Sequence, residues 1–279
     1  MVASTLVTDV EAGFDSSDDL LWQTIRGQLT NRGSIRVRRS GRIGPVVELM
    51  FARKAMPNEY AQVTIEVPFA GLAEDAMNRA RISGGNRNDV AGVFPLGRDG
   101  AGAHAEDMWE QWTLHAQNAA VGCGLNRSFV DGLIGALIEL QDNVYEHSEA
   151  PGTGLVAYAV SPGTFEFVVA DAGIGVLASL IKNPDYAGVT DSGEALRVAA
   201  SDGASRYDRS TGHGFGIGQL FKALARDAGE LRFRSGDHVM TIRGDRPSLT
   251  GKVDIVQKAW LDGLIISVRC TVEGPATNL

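Results

Sequence analysis

Glu139, Asn143 and His147 recur every four residues, with Asp142 beside them. In a helix this spacing stacks the side chains along one face. Carboxylates and amides so stacked would be costly in a dry core. They suit a face turned to water, a magnesium ion or phosphates, and an exposed polar stripe is the plainer alternative. A second group, Asp171-Ala172-Gly173-Ile174-Gly175, follows the apolar run TFEFVVA. A strand that ends in Asp and turns through glycines presents a carboxylate at the sheet's end and lets backbone approach a ligand. That carboxylate could accept a hydrogen bond from an exocyclic amine, or merely close an Asx-type turn. The third group is Gly212, Gly214, Gly216 and Gly218, which opens the helical pattern of residues 215–229. Alternating glycines free backbone N–H groups to curl around an anion at a helix start. No GK[ST] follows, and Ile217 breaks the GxGxxG dinucleotide spacing.

The elements that must position these residues follow from periodicity. Residues 15–30 read as a helix capped by Asp15 or Ser16, with Leu21, Ile25 and Leu29 spaced by four. Residues 34–53 alternate at period two around Ser40-Gly41, which predicts a β-hairpin. Residues 62–69 read as a strand and 70–83 as a helix. The glycine-rich stretch 83–103 lacks periodicity and is read as a linker or long loop, dividing the chain into 1–100 and 105–279. Beyond it, helices are predicted over 106–121 and 127–148, then a strand pair over 153–160 and 164–171. A long connection, 176–211, contains two short helical patterns. Residues 229–244 read as a hairpin, and 264–270 as the last strand.

Composition narrows the class. The 279 residues are 44% hydrophobic, enough for a sizeable core, which excludes wholesale disorder. Lys and Arg number 26 against 34 Asp and Glu, a net charge of −8 that argues against nonspecific nucleic-acid coating. Cys123 and Cys270 form no CxxC, so neither a disulfide framework nor a zinc site is expected. The first residues lack a basic signal-peptide start, and no run of 18 apolar residues occurs. A cytoplasmic protein is expected.

Taken together, ELQDNVYEH, then DAGIG 28 residues after Asn143, then GHGFGIG resemble the N, G1 and G2 boxes of the GHKL ATPase superfamily. That superfamily includes gyrase, the heat-shock chaperone, histidine kinases and the mismatch-repair ATPase. The resemblance covers residues 105–279; residues 1–100 resemble no family and read as a small α+β domain. It implies a Bergerat fold, a two-layer α/β sandwich with helices over one face of a mixed sheet, with ATP between the layers. It also implies roles. Asn143 would ligate Mg2+, and Glu139 matches the general base of the hydrolysing members. Asp171 matches the adenine-binding carboxylate, with Gly173 and Gly175 shaping its pocket. Gly214, Gly216 and Gly218 match the phosphate loop, residues 176–211 the ATP lid, and Arg206 and Arg209 are candidate phosphate contacts. Gly263-Leu264 departs from the Gly-Thr pair of many relatives, leaving Thr241 as the candidate substitute hydroxyl.

Within the superfamily the leading expectation is a Mg-dependent ATP-binding protein that hydrolyses ATP to switch a lid and its contacts with a protein partner. An anti-sigma-type serine protein kinase and a non-hydrolysing, nucleotide-gated interaction module are the alternatives. A sensor histidine kinase would need a phosphoacceptor hairpin, for which His104 and His115 are the candidates. Only 24 residues separate His115 from Glu139, too few for that hairpin and the domain's first elements. Arg32, Arg36, Arg38, Arg39 and Arg42 could contact phosphates, but on an alternating strand they read more simply as solvated charge. A homodimer is compatible with these readings, and neither a membrane nor nucleic acid is expected as a partner.

Overall fold

The computed structural model describes residues 8–28, 34–78, 86–87, 90–97, 103–201, 229–243 and 253–272. The first six elements alternate: β1 (Thr8–Glu11), α1 (Phe14–Ile25), β2 (Ile35–Arg39), α2 (Gly44–Ala55), β3 (Val63–Ile65) and α3 (Pro68–Asn78). The strands form a parallel sheet in the order β1-β2-β3. Alternation sets its faces: Ile35, Val37 and Val63 are buried, whereas Arg38 and Thr64 are exposed. Helix α1 starts at Gly13, whose N–H donates to the Ser16 hydroxyl at 2.8 Å.

The hairpin predicted over 34–53 is not formed. Its first half is β2, but its second half is helix α2. Pro45 stands in the first helical turn, where a missing N–H leaves no bond unmade. Val46, Val47, Leu49, Met50, Phe51 and Ala52 are all buried, so no polar stripe marks the helical period. Burial on every side is what disguised this helix.

The remaining elements are β4 (Asn86–Arg87), β5 (Ala91–Pro95), α4 (Ala103–Gly122), α5 (Arg127–His147), β6 (Leu155–Ser161), β7 (Thr164–Asp171), α6 (Gly175–Leu180), α7 (Ser192–Ala199), β8 (Gly229–Arg243) and β9 (Asp254–Thr271). The chain is thus α+β, with two sheets. The second sheet runs β4-β5-β6-β7-β9-β8, and every pairing among the described residues is antiparallel rather than mixed. Sequence neighbours β6 and β7 meet through a tight turn at Gly163, and β8 pairs with its own successor β9, so no parallel crossover enters this sheet. Strand β5 lies within the stretch read as a linker and pairs with β6. The hairpin predicted over 229–244 is one 15-residue strand. Its Ser-Gly-Asp signal marks a bulge instead: pairing passes from Ser235 with Leu264 to Gly236 with Leu261 and His238 with Gln257.

Two cores sandwich the antiparallel sheet. On one face Phe165, Phe167, Val169, Ile266 and Val268 pack with Val130, Leu137, Leu140 and Val144 of α5 and Trp112 of α4. On the other, Val168, Ala170, Leu261 and Ile265 join the apolar residues of α1–α3 and the inner face of β1–β3 in one continuous cluster. The helices of the N-terminal unit therefore lie against the large sheet.

Charge fixes how they lie. Asp18 of α1 and Glu48 of α2 meet Arg232 and Arg234 of β8, all four no more than 5% exposed. Arg232 reaches Asp18 at 2.8 Å and Glu48 at 2.7 Å, and Arg234 reaches Asp18 at 2.7 Å and Glu48 at 3.2 Å. Lys258 of β9 adds a contact to Asp18 at 2.9 Å. Burial alone would raise the Asp18 carboxyl, but Arg232, with Lys258 and Arg234, holds it below the usual range. Nearer the start of β7, Glu166 accepts from the N–H groups of Ile43 and Gly44 at 3.0 Å each, taking the place of an anion at the α2 N-terminus. Ser267 donates to the same carboxylate at 3.2 Å.

Removing one member of the Asp18–Glu48–Arg232–Arg234 group strands charge in a dry joint. Asp18→Ala should cost about 3–5 kcal/mol in urea unfolding. A loss below about 1 kcal/mol, the range of exposed pairs, would show that the group does not hold the joint.

Candidate functional site

Helix α5 begins at Asn126, whose side-chain oxygen accepts from the Ser128 N–H at 2.9 Å. Its buried stripe, Val130, Leu133, Leu137, Leu140 and Val144, turns Glu139, Asp142 and Glu146 outward. Burial, with Glu139 and Glu146 nearby, raises the Asp142 carboxyl. Asn143 is half-buried, and its Nδ2 donates to the Glu139 carbonyl at 2.9 Å. That bond uses the amide nitrogen and leaves Oδ1, the atom a hard cation would take. Half-buried His147 has Nε2 3.7 Å from Glu146.

The end of α5 is stitched to the turn after β7. The Ser148 carbonyl accepts from the Ile174 N–H at 3.0 Å. Thr153 donates to the Ala150 carbonyl at 2.7 Å and accepts from the Ala172 N–H at 3.0 Å. Gly173 is required by closeness, because a Cβ there would lie 2.1 Å from the Ser148 carbonyl oxygen. The structure therefore brings Asp171, Gly173 and Gly175 to the C-terminal end of the helix that carries Glu139 and Asn143.

Asp171 ends β7 at 2% exposure. Its Oδ1 accepts from the Gly173 N–H at 2.7 Å, so the Asx turn is present and occupies one carboxylate oxygen. Among the described residues no cation lies within ion-pair reach of it. Burial pushes its pKa up to about 7, with the Gly173 N–H opposing. Among the described residues, this leaves a buried carboxyl whose hydrogen bond engages one oxygen only.

The third wall is built by Gly263 and Ser235, of which sequence reasoning missed Ser235. β9 bulges at Asp262-Gly263, and Gly263, at φ +80°, comes so near that a Cβ would stand 2.0 Å from the Asp171 carbonyl oxygen. Opposite Leu264 in register stands Ser235, whose hydroxyl donates to the Gly263 carbonyl at 2.8 Å and accepts from the Val176 N–H at 3.0 Å. Thr241, the candidate substitute, instead pairs with Asp254 at the far end of the ladder.

Other expected residues fall elsewhere. Gly214, Gly216, Gly218, Arg206 and Arg209 lie outside the described residues. Of the segment read as a lid, α6 and α7 bury Leu180, Ala195, Leu196 and Ala199, residues 181–191 between them are mostly exposed, and residues 202–211 lie outside the described residues. His115 packs half-buried against Tyr158, with ring centroids 6.3 Å apart, which does not suit an open phosphoacceptor. The side chain of His104 and all of Arg32 lie outside the described residues. Arg36 and Arg38 pair with Glu66 at 3.5 and 3.2 Å, and Arg42 with Glu230 at 2.8 Å, so this run is largely neutralised by acids. Cys123 and Cys270 are both free thiols. Among the described residues no three His, Cys, Asp or Glu side chains form a metal cluster, and no helix is long and apolar enough to cross a membrane. No protein-family model matches the chain, and no curated protein matches it.

The Asp171 carboxyl titrates at 3.8 when unfolded and at about 7 when folded. Folding takes up a proton between those values, so this group lowers stability as pH climbs through that window. Asp171→Asn should remove that slope, gaining on the parent by a few kcal/mol between pH 5 and pH 8 in urea unfolding. A parent–variant difference that is flat with pH would show the carboxyl to be ionised throughout.

Proposed function

We propose that this chain is a Mg-dependent ATP-binding protein of the GHKL type, with adenine held at the 171–175 turn and the phosphates toward the polar face of α5. One observation carries the reading. Among the described residues, Asp171 is a buried carboxyl with no cation beside it, one oxygen engaged by its own turn, and glycines crowding the backbone around it. Such a group is matched by a ligand that donates a hydrogen bond, as the exocyclic amine of adenine does. The three motifs in their order support the same reading, as does the stitching of the α5 end to the turn.

The residues divide the work by chemistry. Asp171 accepts from the adenine amine and so distinguishes adenine from guanine, which carries a carbonyl at that place. Asn143 Oδ1 is the donor on this chain suited to magnesium, which when bound neutralises phosphate charge. Glu139 is exposed one turn earlier on the same helix, where its carboxylate can take a proton from an attacking water. The glycines at 214, 216 and 218 are proposed as the phosphate loop. We further propose that hydrolysis changes how the chain meets a protein partner. The half-buried position of His115 favours this over autophosphorylation on histidine.

Mg-ATP at a hundredfold excess over its Kd should stabilise the protein by about 2.7 kcal/mol. In a chain of this size that is a rise in Tm of roughly 5–10 °C. GTP should do less, and equal shifts from the two nucleotides would contradict the adenine pocket. Glu139→Gln should keep the ATP shift and lower phosphate release by about 10²–10⁴-fold. Release at the parent rate would remove Glu139 from the chemistry.

A further inference from the structure

Strand β8 carries different groups on its two faces, as alternation requires. Arg232 and Arg234 face the N-terminal unit, and the Arg234 guanidinium is gripped by Asp18, Glu48 and the carbonyl of Ala259. Ser235, the next residue, faces the other way and is 4% exposed. Its hydroxyl bridges the two walls of the Asp171 turn, the Val176 N–H at 3.0 Å and the Gly263 carbonyl at 2.8 Å. Gly175 is pressed on the same hydroxyl, since a Cβ there would meet it at 2.8 Å. One rigid peptide unit joins Arg234 to Ser235. A movement of α1 and α2 that shifts β8 at Arg234 acts on its neighbour Ser235, and through it on both walls of the turn.

We propose that Ser235 is a positioning residue for the Asp171 turn, and that docking of the N-terminal helices sets nucleotide affinity through it. The affinity part rests on the ATP reading above; the positioning part concerns the turn itself. Docked, the charge group holds β8 where Ser235 closes the turn. Loosened, β8 withdraws the hydroxyl, and the Val176 amide loses its acceptor. Linkage makes the effect reciprocal, so bound nucleotide also tightens the joint, and couplings of this kind amount to roughly 5–150-fold in affinity. The partner of the nucleotide site in this account is the chain's own N-terminal unit.

The test uses the full chain with Ser235→Ala, Lys258→Gln and the double variant. Lys258 touches Asp18 from the rim, so its loss loosens the joint while both arginines still hold Asp18. Thermal unfolding shows that each variant is folded, and Lys258→Arg, which keeps the charge, is the control for a merely structural loss. Two readouts are taken: amide hydrogen exchange over residues 172–176 without nucleotide, and the Kd for Mg-ATP. Ser235→Ala should speed exchange at Val176 by at least about tenfold, taking its bonded amide toward the open rate. Lys258→Gln should speed exchange over 172–176 and weaken ATP by about fivefold, although it touches no residue of the turn. Lys258→Arg should restore both, and the double variant should bind ATP no more weakly than Ser235→Ala alone. Parent exchange at Val176 in Ser235→Ala would overturn the positioning role. Parent exchange over 172–176 in Lys258→Gln, or strictly additive losses in the double variant, would overturn the coupling. If the parent itself binds no ATP, the nucleotide reading fails, and exchange alone decides the positioning role and its link to the joint.

Discussion

Two arginines and two carboxylates buried at the joint between the units constrain this molecule more than any apolar contact. Burial of the valines, leucines and alanines on the faces of α2 and the large sheet is not directional and by itself selects no single register. The Asp18–Glu48–Arg232–Arg234 group cannot slide. Each guanidinium meets both carboxylates, and a small displacement leaves charges dry and unpaired. Glu166 acts in the same way toward the start of β7, where it takes the free N–H groups that begin α2. Apolar area holds the units together, and charge decides their register.

That register reaches the candidate site. Slipping β8 by one residue would turn Arg232 and Arg234 into the core shared with α5 and Ser235 toward the N-terminal helices. The ion group therefore specifies which β8 residue stands opposite Leu264, and hence which hydroxyl closes the turn around Asp171. The site is assembled from parts far apart in sequence. Asp171 comes from β7, the Ser148 carbonyl from the end of α5, Gly263 from a bulge in β9, and Ser235 from β8. None could hold the turn alone. A buried acid with a pKa near neutrality persists there because four elements fix its surroundings.

Helices α4 and α5 were legible in the sequence because each has one core face and one wetter face, and strands β6 and β7, buried on both faces, because they are short apolar runs bounded by turn residues. The Asp171 turn was legible for a different reason: a chemistry-bearing side chain stood beside glycines whose need was local. Helix α2 was not legible, because the helix lies between the inner face of β1–β3 and the large sheet, and even Glu48 on it is fully buried. The kink in β8 was misread as a reversal, since Ser-Gly-Asp signals a turn and only the long partner strand β9 makes it a bulge. Ser235 escaped notice because its partners lie 59 and 28 residues away. Nothing in its neighbours marks a serine on an apolar strand as the closure of a distant turn. The pairing of Arg232 and Arg234 with acids 184–216 residues distant was invisible for the same reason.

In the proposed site the second carboxylate oxygen of Asp171 receives the adenine amine. Calorimetric titration of Mg-ATP into the parent and Asp171→Ala, beside urea unfolding of both without nucleotide, tests it most directly. A hydrogen bond to a charged group contributes about 1.5–3 kcal/mol, and 1.4 kcal/mol is tenfold in affinity. A Kd raised by roughly ten- to a hundredfold is expected, in a protein that remains folded. An unchanged Kd, with a loss only in unfolding free energy, would make Asp171 the closure of a turn and contradict the nucleotide site.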